Sequence, residues 1–394
     1  MQVAKHILPT IVVAQFCCTS LWFAGNAVMG DLVSSFGLSD GALGHLTSAV
    51  QFGFITGTLI FAILTIADRF SPSRVFFFCA LAGALCNYGM TYDGNTPATL
   101  LGVRFATGFF LAGIYPVGMK IAADYYQKGL GKSLGYLVGA LVLGTAFPHV
   151  LKSFGTALPW RNVLLYTSLI AATGGLSMLL LVPDGPYRRA GQGLDLAAAF
   201  RVFRKPPFRA AAMGYFGHMW ELYAFWAFVP VALQVYLQLH PVDSPINIPF
   251  WSFVIIGVGG LGCVIGGYLS QRNGPKRIAA IALGGSGLFC LLAPLVFMLP
   301  NAGLFISCLL LWGLLVVADS PLFSTMVAQN APAESKGSAL TIVNCIGFAI
   351  TIVSIQLLST LQQHWILPFS LVILAAGPAF GLWALLKKRP ESGD

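Results

Sequence analysis

The chain has 394 residues, 57% of them hydrophobic and only 9% charged, with a mean hydropathy of +0.80. Soluble domains carry about 25% charged residues, so this composition cannot cover a water-facing surface, and a soluble globular protein is excluded. The formal net charge of +9 falls in short patches between long apolar blocks, where it reads as a membrane-topology signal and not as a nucleic-acid surface.

A spanning helix needs about 20 apolar residues. Twelve segments meet that requirement, at 8–30, 44–66, 75–92, 97–121, 132–152, 163–183, 210–236, 249–270, 277–298, 302–325, 338–360 and 365–386. Runs such as "LVVADSPLF" and "IALGGSGLFCLLAPLVFML" lack the apolar/polar alternation of a membrane β-barrel. With no water to satisfy the backbone, they must be helices. The first run is long and followed by others, so it reads as a span and not as a cleavable leader. All eight cysteines lie inside apolar runs without metal-ligand spacing, which makes them packing residues. No cofactor or metal site is expected.

Lysines and arginines set the orientation. With the N-terminus inside, that side receives Lys5, Arg69, Arg74, Lys128, Lys132, Arg188, Arg189, Arg201, Arg204, Lys205, Arg209, Arg272, Lys276, Arg277, Lys336, Lys387, Lys388 and Arg389. The other side receives only Lys152 and Arg161. This asymmetry predicts N-in and C-in. The longest polar stretch, residues 184–209, "DGPYRRAGQGLDLAAAFRVFRKPPFR", reads as a linker between six-helix halves at 1–183 and 210–394. Within it, "LDLAAAFRVF" fits a short helix on the inner membrane surface.

The two halves repeat. Arg69, Pro72 and Arg74 after span two match Arg272, Pro275 and Arg277 after span eight, all at an offset of 203, as does Gly57 with Gly260. Pro116 in span four matches Pro321 in span ten at 205. A nearly constant offset that superposes the hydropathy pattern marks an internal duplication, and parallel repeats with a site between them are a transporter architecture.

On these residues the sequence resembles the major facilitator superfamily over essentially its whole length. The family signature G-x-x-x-D-R-x-G-R-R/K is represented by Asp68, Arg69 and Arg74, with Leu64 and Ser71 at the usual glycines. Its second copy keeps Gly267, Arg272, Gly274, Lys276 and Arg277, with Gln271 for the aspartate. Arg104 and Gly108 supply the R-x-x-x-G of span four. The resemblance implies that Asp68, Arg69, Arg74, Arg272 and Arg277 form a cytoplasmic gate or latch. Span five, "GYLVGALVLGTAFPHV", lacks the G-P-x-x-G-G of drug/proton antiporters. "SLWFAGNAV", "GHMWELYAFW" and "VVADSPLF" are similar to a cyanate-permease-like branch.

Charged groups at the bilayer centre cost about 2.5–3.5 kcal/mol each on insertion scales, so those inside the spans should face a cavity or one another. Arg104 can hold an anionic substrate through its planar fork; the family role of binding span-one carbonyls stands beside that. Lys120, within about a turn of the inner end, can snorkel. Glu221 lies near the midplane, with His218 three residues before it on the same helical face. Such a carboxylate suits proton uptake and release, and the histidine can share that proton; the plainer role is to pin span seven to a polar neighbour. Asp319 precedes Pro321, whose missing N–H frees a carbonyl beside the carboxylate, and this suits either a substrate site or the latch. Asn26 and Asn344 line a cavity if spans one and eleven face it, as the resemblance implies, and Trp22, Tyr115 and Tyr223 give it an aromatic wall.

A membrane enzyme finds no support: neither HExxH nor GxSxG is present, and "KGLGKSLG" lacks the first glycine of a phosphate loop, having Tyr126 there. A channel would want a repeated selectivity element. The sequence therefore points to a monomeric secondary active transporter in a bacterial cytoplasmic membrane. It moves a small organic anion or zwitterion by alternating access, coupled to protons. Proton-driven multidrug efflux is the alternative, and a membrane sensor without transport is the alternative from another class.

Overall fold

The fold is that of a computed structural model, which describes residues 4–39, 41–126, 130–155, 158–188, 193–241, 246–332 and 334–387, without the side chains of 130–132. Of the topology-setting basic residues, Lys128, Arg189, Lys388 and Arg389 lie outside the described residues, as does the side chain of Lys132. Every regular element among the described residues is helical.

Over the expected first span follow α1 (Ile7–Thr19), α2 (Ala24–Ala27) and α3 (Met29–Phe36). Next come α4 (Ala42–Ile63), α5 (Ile66–Arg69), α6 (Pro72–Gly89), α7 (Pro97–Leu111), α8 (Tyr115–Tyr125), α9 (Leu130–Lys152) and α10 (Trp160–Leu181). The short α11 (Leu196–Val202) lies in the polar stretch. After it come α12 (Pro206–Leu239), α13 (Ile248–Gly257), α14 (Gly259–Asn273), α15 (Pro275–Phe297), α16 (Ala302–Ala318), α17 (Ser320–Asn330), α18 (Lys336–Leu361) and α19 (Leu367–Ser370). A 3-10 stretch, Leu371–Ala375, leads into α20 (Ala376–Leu386).

Among the described residues, ten helical stretches are long and apolar enough to cross a membrane, against the twelve expected from apolar length. The differences are the first span, broken so that α1 has only 13 residues, and α6, an 18-residue helix that is not among the ten. α12 also starts at Pro206, taking four residues from the expected linker.

Local sequence explains the boundaries. Prolines open α6, α7, α12 and α15 in their first turns, where a missing N–H costs nothing. Thr96 caps α7 in a reciprocal box with Thr99, and Asn247 and Asn301 cap α13 and α16. Two interruptions are equivalent in the repeat. α7 passes to α8 just before Pro116, and α16 passes to α17 at Asp319, just before Pro321. Each proline thus stands second in the later segment of a broken helix, as the 205-residue offset predicts.

Helices from α1 to α10 pack mainly on one another, as do those from α12 to α20. The two sets meet where α4 touches α18 and where α9 touches α13 and α14. The α4–α7 contact is backbone to backbone. A Cβ at Gly108 would stand 2.0 Å from the Val50 carbonyl oxygen, and one at Gly53 would stand 1.9 Å from that of Phe105. Small residues allow this approach, and it brings α7 close enough for Arg104 to reach the break in the first span.

Candidate functional site

Where the two helix sets meet, an aromatic cluster joins them. Trp22 and Phe23, in the break after α1, and Phe54 of α4 face Tyr223 and Trp226 of α12 and Phe348 of α18. Ring centroids lie 4.8 Å apart for Trp22–Phe54, 5.7 Å for Trp22–Tyr223, 5.6 Å for Trp22–Phe348 and 4.5 Å for Phe54–Phe348. Phe23 meets Trp226 edge-on at 6.2 Å. Trp22 is fully buried, and its Nε1–H donates to Gln51 Oε1 at 3.2 Å, so the indole is held from its own helix set while its face packs on the other. Two expected site residues, Trp22 and Tyr223, are therefore in direct contact. Asn26 stands apart from them, its amide donating to Thr47 Oγ1 of α4 at 2.8 Å.

About two to three turns nearer the start of α12, Tyr215 donates its hydroxyl to Asn344 Oδ1 of α18 at 3.1 Å. Tyr115, the half-buried first residue of α8, lies near Tyr215 and Cys263. These phenols and the amide come from α8, α12 and α18, and they make a polar wall beside the aromatic cluster.

Behind that wall, the carboxylates divide. Glu221 is fully buried and accepts from Ser286 Oγ at 2.8 Å, Cys290 Sγ at 3.3 Å and Trp312 Nε1 at 2.6 Å. Phe225 and Phe289 pack on Trp312, at 4.7 and 6.2 Å, and fix the indole donor. Glu221 therefore ties α12 to α15 and α16. Its spacing of three from His218 puts both on one side of α12, yet the histidine does not turn to it. His218 Nδ1 lies 2.8 Å from Asp319 Oδ1, and both side chains are only 1% exposed. Asp319 sits in the α16–α17 break, where its main-chain oxygen accepts from Leu322 and Phe323. The contact is an ion-pair approach without hydrogen-bond geometry: both carboxylate oxygens of Asp319 and the Nε2 of His218 have no hydrogen-bond partner. The acid–histidine pair is thus His218 with Asp319, and the expected sharing of a Glu221 proton with His218 is replaced by this partnership.

Arg104 is fully buried. Its Nη1 donates to the Leu21 carbonyl at 3.2 Å and its Nη2 to the Trp22 carbonyl at 2.6 Å. The break in the first span frees those acceptors, so the guanidinium holds the kink that presents Trp22. Of the two roles weighed for Arg104, this geometry is that of the carbonyl clamp.

Gln51, Tyr215, Phe54 and Phe348 were not among the candidates from sequence. A lone amide in the apolar α4 was a usable signal for Gln51; the others look like ordinary packing residues.

The sequence pattern of the Major Facilitator Superfamily matches residues 11–355. The chain belongs to this superfamily. Among curated relatives, the probable nitrate/nitrite transporter NarK2 of Mycobacterium tuberculosis is 25% identical over 319 residues, 78% of this chain and 73% of that protein. Among solved structures, a bacterial homolog of the human lysosomal transporter Spinster, inward-facing and unoccupied, superposes with a TM-score of 0.74 at 16% identity, over 99% of both chains. The nucleoside transporter NupG gives 0.73 at 13% identity, over 96% of this chain and 99% of that one. The reading as a membrane transporter and not an enzyme stands on this membership.

In this Major Facilitator Superfamily chain the signature residues keep to their own neighbourhoods. Asp68 pairs with Lys120 at 2.9 Å, and Arg188 donates to the carbonyls of Asp68 and Phe70. Arg69 Nε bonds Thr65 Oγ1 at 3.1 Å, steadying the turn at Thr65, whose φ of +50° is a strained conformation for a β-branched residue. Arg74 lines a groove with Ser71, Ser73 and Asp184. Arg272 lies over the Tyr268 ring, and Arg277 is exposed. Among the described residues, no hydrogen bond or ion pair joins Asp68, Arg69 or Arg74 to Arg272 or Arg277. At the other end of α4 the helix sets do meet: Gln356 Nε2 donates to Ser48 Oγ at 2.9 Å, and a Cβ at Gly44 would stand 2.8 Å from Ser359 Oγ.

Proposed function

We propose that this protein is a proton-coupled secondary transporter for a small organic solute that is cationic or zwitterionic. Residues 1–183 and 210–394 act as two rocking six-helix halves, joined by 184–209, with the broken α1–α3 and α6 completing twelve spans. Both termini lie on the inner side of a bacterial cytoplasmic membrane, and the unit is a monomer. The observation that carries the reading is the buried His218–Asp319 pair in a helix break, beside the phenol and amide wall between the helix sets. A carboxylate at a discontinuous helix suits ion and substrate handling. A proton on Asp319 cancels its attraction to His218 and to any cation brought against it, which gives solute and proton one shared group.

The anion preference expected from sequence weakens with Arg104 committed to the Leu21 and Trp22 carbonyls and Lys120 to Asp68 and Asp124. A second reading, a small inorganic anion, is favoured by the similarity to a probable nitrate/nitrite transporter. A melting screen of purified protein with cations, zwitterions and small anions at two pH values separates them. A ligand at about 100 times its Kd stabilises by roughly 2.7 kcal/mol. Shifts from cationic or zwitterionic solutes that grow as pH rises, and vanish in Asp319→Asn, are expected. Shifts from nitrate alone would overturn the substrate reading and return attention to the second.

A further inference from the structure

The polar stretch between the helix sets carries an exposed surface outside the candidate site. α11 is capped by Asp195, whose carboxylate accepts from the Ala198 N–H at 2.8 Å. It presses Ala199 and Val202 onto the protein, while Leu196 and Phe200, one turn apart, remain 47% and 55% exposed. Beside and after them stand Arg201, Arg204, Lys205 and Arg209, all exposed and without an ion pair among the described residues. The acidic groups nearby are Asp195, spent as the cap, and the exposed Glu334 just before α18, which Lys336 offsets.

We infer that this linker helix is a docking surface for anionic phospholipid headgroups, gripped by Arg201, Arg204, Lys205 and Arg209 while Leu196 and Phe200 enter the acyl boundary. The basic cluster runs directly into the first turn of α12, a membrane-crossing helix, so it lies at the level where headgroups are found. Clustered cations beside a span attract acidic lipid, and apolar side chains next to them are the signature of a helix lying in the interface. A soluble polyanion would match the cations and leave Leu196 and Phe200 in water. The surface is also wired to the site. The Asp195 N–H donates to Ser338 Oγ of α18 at 3.0 Å. Phe203 stacks on Phe200 at 6.3 Å and on Phe216 of α12 at 6.5 Å. Lipid held here therefore bears on the two helices that carry Tyr215 and Asn344.

The test is amide exchange across 194–209 in the full chain, placed in nanodiscs of phosphatidylcholine alone or with about a quarter phosphatidylglycerol. Exchange in 197–203 should slow by about tenfold with the acidic lipid. The slowing should disappear at about 1 M salt, where the Debye length is near 3 Å, and in the variant R201Q/R204Q/K205Q/R209Q. Equal exchange in the two lipids overturns the inference, as does protection that survives the four substitutions. Should that variant fail to fold, protection of the unaltered chain that persists at high salt overturns it equally. Inorganic phosphate giving the same slowing in phosphatidylcholine discs would assign the patch to a free anion instead. The result does not depend on solute flux, so a chain that transports neither cations nor protons can still pass.

Discussion

Glu221 and Asp319 occupy the same interior but meet different company, and their substitutions should separate. Three donors converge on Glu221, from Ser286, Cys290 and Trp312, and a carboxylate has lone pairs for all of them. Glu221→Gln turns one oxygen into an amino group facing buried donors. An unsatisfied buried polar group costs about 1–3 kcal/mol, so this variant should melt earlier while its solute binding keeps its pH response. Asp319→Asn should do the reverse. Its folded structure loses one charged contact with His218, but the group shared by proton and cation is gone. If Asp319 is the shared group, cation binding in the parent chain should weaken as pH falls, while in Asp319→Asn the affinity should be flat across the same pH series. Titrating solute by calorimetry at several pH values reads both. A steep pH dependence surviving in Asp319→Asn would move the coupling site to Glu221.

The breaks in the helices are where elements and chemistry meet. α1 ends where Leu21 and Trp22 leave their carbonyls to Arg104, and without that clamp the kink has two buried acceptors and no donor. Arg104→Ala should therefore lower stability by about 3–6 kcal/mol, the loss of two charged hydrogen bonds, and slow solute flux by releasing Trp22. Arg104→Lys, which offers a point charge without the fork, should recover only part of the melting temperature. The breaks were unevenly legible. Pro116 and Pro321 announce two of them, and their matched offset announces the repeat. "SLWFAGNAV" holds no proline, so a continuous first span was the natural expectation, and only the three-dimensional position of Arg104 explains the kink. Glu221 stood out because a charge inside an apolar run is rare. Its partners are 65, 69 and 91 residues away in the chain, beyond any spacing rule. The i, i+3 rule put His218 and Glu221 on one side of α12 but could not foresee that Asp319 would claim the histidine.

At the scale of the molecule, contacts between the helix sets are concentrated at one end. Gln356 bonds Ser48, Gly44 lies against Ser359, and the Trp22–Phe54–Tyr223–Phe348 cluster lies deeper in. At the other end, among the described residues, the signature arginines bridge nothing across the sets. Alternation between two accessible faces requires the first end to part, because a solute shifts the equilibrium only through a state it binds differently. Small residues, Gly44, Ser48 and Ser359, lie at that end of the α4–α18 contact, so the interlocking to undo is that of the deeper Phe54–Phe348 pair. Joining the ends covalently should hold the protein as it stands here. Gly44→Cys with Ser359→Cys sets two thiols on facing carbons, since a Cβ at Gly44 would stand 2.9 Å from that of Ser359, close to the roughly 3.5–4.5 Å that a disulfide spans. It should be made with Cys17, Cys86 and Cys308 changed to Ser, since these are the cysteines that are not buried. Oxidation should stop flux in vesicles, and reduction should restore it, while either single cysteine remains indifferent to both treatments. Solute binding should persist in the crosslinked protein, because the bridge removes the transition and leaves the His218–Asp319 pair and the Tyr215–Asn344 wall untouched. Full flux through a chain shown to be crosslinked would mean that the α4–α18 contact does not open during transport, and the rocking of 1–183 against 210–394 would have to be given up.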